Sequence, residues 1–192
     1  MLEITRSGLF ATIGVLLVAA VCVRLGIWQL DRREQRLTQN AAVAQRMAES
    51  PLSLHGAPRD TTGLTFRLAS VTGRYDNERS VVLAGRSRDG APGVHVLTPL
   101  RVGDGAILVN RGWLPSNDAA TVDLGAVAVP GPVDAAGMLV PFPDVDVDVE
   151  RDGFRTTWFR LDADALRSQF PYPVAALYLV ESPSDSAPAE GV

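Results

Sequence analysis

Apolar positions along this chain fall into two regimes. Over residues 8–30 (GLFATIGVLLVAAVCVRLGIWQL) they follow one another almost without interruption, and Arg24 is the single charge. Beyond Pro51 they come in short runs broken by Gly, Pro, Asp or Asn. The first texture suits a helix facing lipid, the second a β domain with frequent turns.

Twenty-three residues rising 1.5 Å each span roughly 34 Å, enough for a hydrocarbon layer of about 30 Å. Arg24 falls near the carboxyl end, where its stem can snorkel to the headgroups; a central arginine would cost about 2.5–3.5 kcal/mol. Trp28 then meets the interface, which favours an amphipathic indole. Val18-Ala19-Ala20 loosely fits a signal-peptidase site, but the apolar run is long for a signal peptide and helical periodicity continues past it. Buried helices of soluble cores are usually shorter. The expectation is an uncleaved transmembrane anchor over residues 1–30.

Leu37, Ala41, Ala44 and Ala48 recur at spacings of three and four, which extends the helix amphipathically over residues 31–50. Ser50-Pro51 stops it, because the residue before proline is driven out of the α region. Arg24, Arg32, Arg33 and Arg36 follow the span while only Arg6 precedes it. Charge alone would therefore keep the following domain in the cytoplasm.

Residues 51–181 read as a β domain. Leu64, Phe66 and Leu68 alternate with Thr65 and Arg67, as in a half-buried strand. Residues 73–79 read as a turn and 81–84 as the returning strand. Residues 94–100 and 106–109 flank Gly103-Asp104-Gly105, a hairpin signal. Further strands are expected near 133–139, 157–161 and 177–180, with a short helix over 163–169 capped by Asp162. The fold class is a membrane-anchored α+β chain: one N-terminal transmembrane helix, then a mostly antiparallel β domain with one short helix. Residues 182–192 (SPSDSAPAEGV) are expected to be a disordered tail.

Composition adds exclusions. With 46% hydrophobic and 21% charged residues the chain is globular, and its net charge of −4 offers no field for phosphate backbones, so nucleic acid is not an expected partner. The lone Cys22 permits either redox compartment. Gly85-Arg86-Ser87-Arg88-Asp89 imitates a nucleophile elbow until Asp89 replaces the final glycine. No Walker loop, dinucleotide fingerprint or HExxH occurs, so no enzyme and no catalytic residue are expected. Residues 144–150 (DVDVDVE) would put four carboxylates on one face of a strand. The following residues miss the glutamate a calcium loop needs, so a solvated edge is favoured over a metal site. His55 and His95 are the only histidines. A neutral imidazole can ligate haem iron, which makes both weak haem candidates against a plain structural role.

The stretch ILVNRGWLP (residues 107–115) is the least ordinary. Ile107, Leu108 and Val109 suit a buried strand. Gly112 would let that strand leave the sheet at an unusual backbone angle, and Pro115 would end ladder pairing. Asn110 and Arg111 can tie the corner by hydrogen bonds while Trp113 packs over the domain edge. A fold-determining corner and a partner or haem surface both remain open.

In order along the chain, LGIWQLDR (25–32), GRYD (73–76), GAPGVHVLTPL (90–100), ILVNRGWLP and WFRLD (158–162), with Tyr178 and Leu179, together resemble the Surfeit locus protein one (Shy-type) family of cytochrome c oxidase assembly factors. Pairing of GxPGxxVxTPL with LVNRGWxP is the specific part. The resemblance carries Gly26, Trp28, Gln29, Arg32, Gly73, Tyr75, Pro92, Gly93, Thr98, Pro99, Leu100, Asn110, Arg111, Gly112, Trp113 and Pro115 as motif or interaction residues. It implies an assembly factor for haem–copper oxidase that aids haem a insertion or maturation of subunit I. Its implied partners are the bilayer, immature subunit I and factors of haem synthesis or insertion, with haem a as a transient ligand rather than a resident cofactor. It also implies a β domain on the periplasmic side despite the arginines after the span; the single apolar run predicts a single pass, and the absence of an acid-poor transit sequence before it favours a bacterial plasma membrane. The family's second membrane helix, introduced by a histidine, has no counterpart after Val180, which puts haem binding by that route in doubt. The alternatives are a tethered extracytoplasmic binding module unrelated to oxidase, or a truncated, inactive family member.

Overall fold

A computed structural model describes residues 6–143 and 153–182. The chain divides into two compact units, Met1–Gln45 and Arg46–Val192. Helix α1 (Arg6–Ala48) is continuous over 43 residues, about 65 Å at 1.5 Å per residue. Val15, Leu16, Leu17, Val18, Val21 and Val23 are all exposed along it. A core helix of a soluble protein would bury such a run; a helix solvated by acyl chains has no need to. It is long and apolar enough to cross a membrane. The helix ends at Ala48, just before Ser50 and Pro51. Arg67 ties the residues that follow, pairing with Glu49 at 2.6 Å and donating to the Ser50 carbonyl at 2.9 Å.

Among the described residues eight strands follow: β1 (Leu52–Leu54), β2 (Leu68–Tyr75), β3 (Val81–Arg88), β4 (Ala91–Val102), β5 (Gly105–Pro115), β6 (Pro132–Pro141), β7 (Thr157–Trp158) and β8 (Val174–Glu181). They form one sheet in the order β1-β2-β6-β8-β5-β4-β3-β7. β2 also pairs with β4, setting Tyr75 opposite Leu100, so that β2, β6, β8, β5 and β4 close into a barrel-like ring. β1–β2, β3–β7 and β5–β8 are parallel and the remaining pairs antiparallel.

Gly73 permits the closure. A Cβ there would collide with the Arg101 carbonyl oxygen, and it would crowd Leu100 and Val102 at 3.0 and 3.1 Å. Closing the ring satisfies backbone groups that would otherwise stay unpaired at its edges.

Alternation along the strands serves two cores. Val71, Leu100, Ile107, Val109, Leu139 and Leu179 pack together in one. Leu97, Leu108 and Val174 turn to the other, where they meet Trp158, Leu161 and Leu166 of helix α2 (Ala163–Ser168). β5 is thus buried on both faces, which is why residues 106–109 are unbroken apolar sequence. Asp162 caps α2, accepting from the Ala165 N–H at 2.9 Å.

Several local expectations are corrected. Residues 62–66 turn rather than extend: Gly63 and Phe66 take positive φ, and the Phe66 N–H goes to the Leu139 carbonyl of β6 at 2.7 Å. Residues 73–75 continue β2, because Gly73 serves close approach rather than turning; the turn is the 3-10 segment Asn77–Arg79. β3 pairs with β4 and not with β2, and β7 holds only two residues of the strand expected over 157–161. β1 was not foreseen at all. The acidic run 144–150 and the tail beyond Ser182 lie outside the described residues; Ser182 itself still donates its N–H to the Ala136 carbonyl.

Candidate functional site

The pairing partners of β4 slip register on both of its sides at the same height. On β5, Leu97 faces Asn110 but His95 faces Trp113, so β5 holds one extra residue. On β3, Leu83 faces His95 but Arg86 faces Gly93, again one extra. These are β-bulges, and each contains a glycine at positive φ: Gly112 at 105° and Gly85 at 70°. Bulges bend a strand and re-aim the side chains beside them. His95 lies between the two.

Side chains lock the β5 bulge from both faces. Asn110, only 9% exposed, accepts the Gly112 N–H at 3.0 Å through its Oδ1, which also lies 3.1 Å from His95 Nδ1. The backbone donor fixes which side-chain atom of Asn110 is oxygen. An amide oxygen only accepts, so His95 Nδ1 carries a proton and donates, and in the neutral ring Nε2 keeps its lone pair. Arg111 donates to the Val127 carbonyl at 2.5 Å and sets its guanidinium 5.0 Å from the Tyr75 ring centroid. Trp113 leans over Gly93, where a Cβ would collide with the indole and the Leu114 carbonyl oxygen. Glycine at 93 is therefore the seat of the tryptophan.

Between the bulges opens a cavity of about 490 Å³. Leu83, Leu161 and Pro143 give it apolar surface; Arg86, Arg160, His95, Asn110 and Tyr178 give it polar groups. Burial raises the Tyr178 hydroxyl above its ordinary range, against the pull of the Arg86 charge, so it stays an O–H donor. Arg86 makes no ion pair among the described residues, and its Nε is buried without a protein acceptor.

The residues singled out from sequence divide into four groups, with His55 apart. His95 and Asn110 line the cavity. Gly93, Arg111, Gly112, Trp113 and Pro115 build the corner, where Pro115 ends β5 opposite Gly93 and the Pro92 carbonyl accepts the Ser116 N–H at 3.2 Å. Gly73, Tyr75, Thr98, Pro99 and Leu100 belong to the barrel closure. There Thr98 is fully buried with its hydroxyl 3.0 Å from Ser80, and the Pro99 carbonyl takes the Asp76 N–H at 2.9 Å. Gly26, Trp28, Gln29 and Arg32 stand exposed on α1, with the Arg32 guanidinium 5.7 Å from the Trp28 ring centroid. His55 is exposed just past β1 and does not line the cavity. The elbow-like Gly85-Arg86-Ser87 lies inside β3 and opens no helix.

Sequence reasoning missed Arg86 as a cavity residue, although an isolated glycine inside a strand pattern is a bulge signal. It also missed the bracket after the corner. Asp118 accepts from Ser116, Ala120 and Thr121, and these bonds hold its carboxyl well below the usual carboxylate range. A third omission is Tyr172, whose hydroxyl donates to Asp76 at 2.7 Å while the Arg101 guanidinium sits 3.7 Å from its ring centroid.

The SURF1 family model matches residues 16–191 of the chain. Surfeit locus protein 1 of Mus musculus is 28% identical over 174 residues, covering 79% of this chain and 55% of its own length. Surfeit locus protein 1 of Arabidopsis thaliana is 33% identical over 127 residues, covering 59% and 36%. A SURF1-like protein of Dictyostelium discoideum is 36% identical over 104 residues, covering 48% and 38%. The chain spans about half the length, or less, of these curated relatives.

Proposed function

Because the chain belongs to the SURF1 family, we propose that it is a membrane-anchored assembly factor for cytochrome c oxidase, aiding haem a insertion into subunit I or the maturation of that subunit. It works by adhesion rather than turnover. Its anchor is α1, and its working surface is the double-bulged corner around His95.

The observation that carries this reading is the state of His95. A histidine that ligates a metal donates its other ring N–H to a fixed acceptor, which sets the tautomer and the ring orientation. Asn110 is such an acceptor for Nδ1, and it is itself held by the Gly112 bulge. Nε2 is then the nitrogen that could meet the iron of a transiently held haem. His55 has no hydrogen-bond partner among the described residues and is the weaker of the two candidates. Arg111 and Trp113, both half-buried in the corner that follows Asn110 on β5, are residue types enriched in binding hot spots, and they suit a surface for immature subunit I or a haem-insertion factor.

The proposed location is a bacterial plasma membrane, with a single pass and the β domain on the periplasmic side. A periplasm-active reporter fused after Val180 should be active; activity from a cytoplasmic reporter alone would reverse the topology. For the function itself, cells lacking the chain should yield oxidase with reduced haem a absorbance. A His95→Ala chain that accumulates normally should fail to restore it. Unchanged haem content without the protein would defeat the proposal.

A further inference from the structure

We propose that the cavity between the two bulges binds a small amphipathic carboxylate, its charged end held by Arg86 and Arg160 and its apolar body against Leu83, Leu161 and Pro143. This does not depend on any role in oxidase assembly.

Charge carries the first half of the argument. Two guanidinium groups line one cavity and, among the described residues, no carboxylate does. Like most arginines among the described residues, Arg86 and Arg160 meet no acid within 4 Å, so both guanidinium groups are free to take a ligand's charge. Arg86 is half-buried among the apolar lining, and a carboxylate that meets the guanidinium groups of Arg86 and Arg160 gains charge-assisted bonds. The Tyr178 hydroxyl supplies another donor.

Shape carries the second half. At about 490 Å³ the space is that of a small-molecule site. A bare, strongly hydrated ion such as phosphate gains nothing from the Leu83, Leu161 and Pro143 surfaces, whereas an aryl or alkyl acid buries its body there. The two glycine bulges fix the arrangement, since Gly85 immediately precedes Arg86 and Gly112 is bonded to Asn110. The histidine and the amide are thereby held ready rather than gathered by the ligand, and the bulge at Gly85 sets where Arg86 leaves the strand, which lowers the ordering cost of binding.

The test uses the full chain in lipid nanodiscs and ¹⁹F NMR titration with 4-fluorophenylacetate. Saturable binding is expected, with the neutral 4-fluorophenylacetamide weaker by about ten-fold or more, as loss of a charge-assisted bond implies. Arg86→Gln and Arg160→Gln should each weaken the acid by a similar factor. Arg160 is exposed, so its substitution leaves the fold intact even if Arg86→Gln does not. Arg59→Gln, at an exposed ion pair elsewhere, should change nothing, and inorganic phosphate should not displace the acid. Equal binding of amide and acid, equal loss in Arg59→Gln, displacement by phosphate, or no saturation at millimolar probe would each overturn the proposal.

Discussion

Asn110 Oδ1 lies 3.1 Å from His95 Nδ1 across two neighbouring strands, and the same oxygen holds the Gly112 N–H at 3.0 Å. One side chain therefore fixes both the backbone of the β5 bulge and the tautomer of the histidine beside it. Replacing Asn110 by alanine removes two hydrogen bonds at a position that is 9% exposed. We expect a loss of about 1–3 kcal/mol, the usual cost of buried donors left without acceptors. Chemical denaturation of the anchored chain would measure it. ¹⁵N spectra of the imidazole should show Nδ1 protonated in the parent and a tautomer mixture in Asn110→Ala; an unchanged tautomer would show that Asn110 does not set it.

The seat of Trp113 predicts a coupling. A methyl group at Gly93 would occupy the space of the indole, so Gly93→Ala should destabilise by about 1–3 kcal/mol, as overpacking does. Once Trp113 is removed the methyl group has room on that side, and only the Leu114 carbonyl still opposes it. The double variant Gly93→Ala/Trp113→Ala should therefore lose less than the sum of the single losses, by roughly 0.5 kcal/mol or more. Strict additivity in a double-mutant cycle would mean that the two positions do not share that space.

How much of this was legible beforehand differs from element to element. The run at residues 107–109 announced a buried strand, which the structure buries on both faces, and Gly103-Asp104-Gly105 announced the hairpin leading into it. Pro115 could be read as the end of β5 because proline acts on its own backbone, but Gly112 does not release the strand from the sheet as expected: β5 stays paired with β4 through Leu114 and Pro115, and the glycine forms a bulge instead. A bulge, by contrast, is a relation between two strands. Asp89-Gly90 marks locally that β3 lies beside β4, but only Gly85 hints at the residue to spare, and Arg86 stayed hidden in a failed catalytic motif. Gly73 was read as a turn for the same reason: what demands glycine there is the Arg101 carbonyl, 28 residues further on. Local signals were legible; contacts made by ring closure were not.

Tyr75 is 7% exposed, and its hydroxyl is buried with no protein partner among the described residues. Burial drives its ionisation above the ordinary range, so it remains a neutral phenol. Phenylalanine keeps the ring under the Arg111 guanidinium and discards an unsatisfied polar atom. Tyr75→Phe should therefore be neutral or stabilising by up to about 1 kcal/mol, a rise of about 2–4 °C in Tm for a domain of this size. A loss of more than about 1 kcal/mol would reveal that the hydroxyl has a partner.

Glu181 gives the chain a pH dependence whose sign is opposite to that of Asp118. Glu181 ends β8 opposite Gly137, and burial raises its pKa above 4.5 even though the Arg111 charge pulls it down. The folded state then holds this proton more tightly than the unfolded state does. Its contribution to stability is complete below the unfolded value and falls as pH rises through the folded value. Asp118 behaves the other way, since its hydrogen bonds lower its pKa: its contribution is present above the unfolded value and is lost on acidification. Glu181→Gln cannot ionise, so relative to the parent it should gain stability as pH climbs from about 4 to neutrality, with the difference levelling off once Glu181 is fully charged. Denaturation midpoints of parent and variant across that range isolate the one group, because every other titration cancels between them. A parent that gains on the variant with rising pH would show that Arg111, and not burial, governs Glu181.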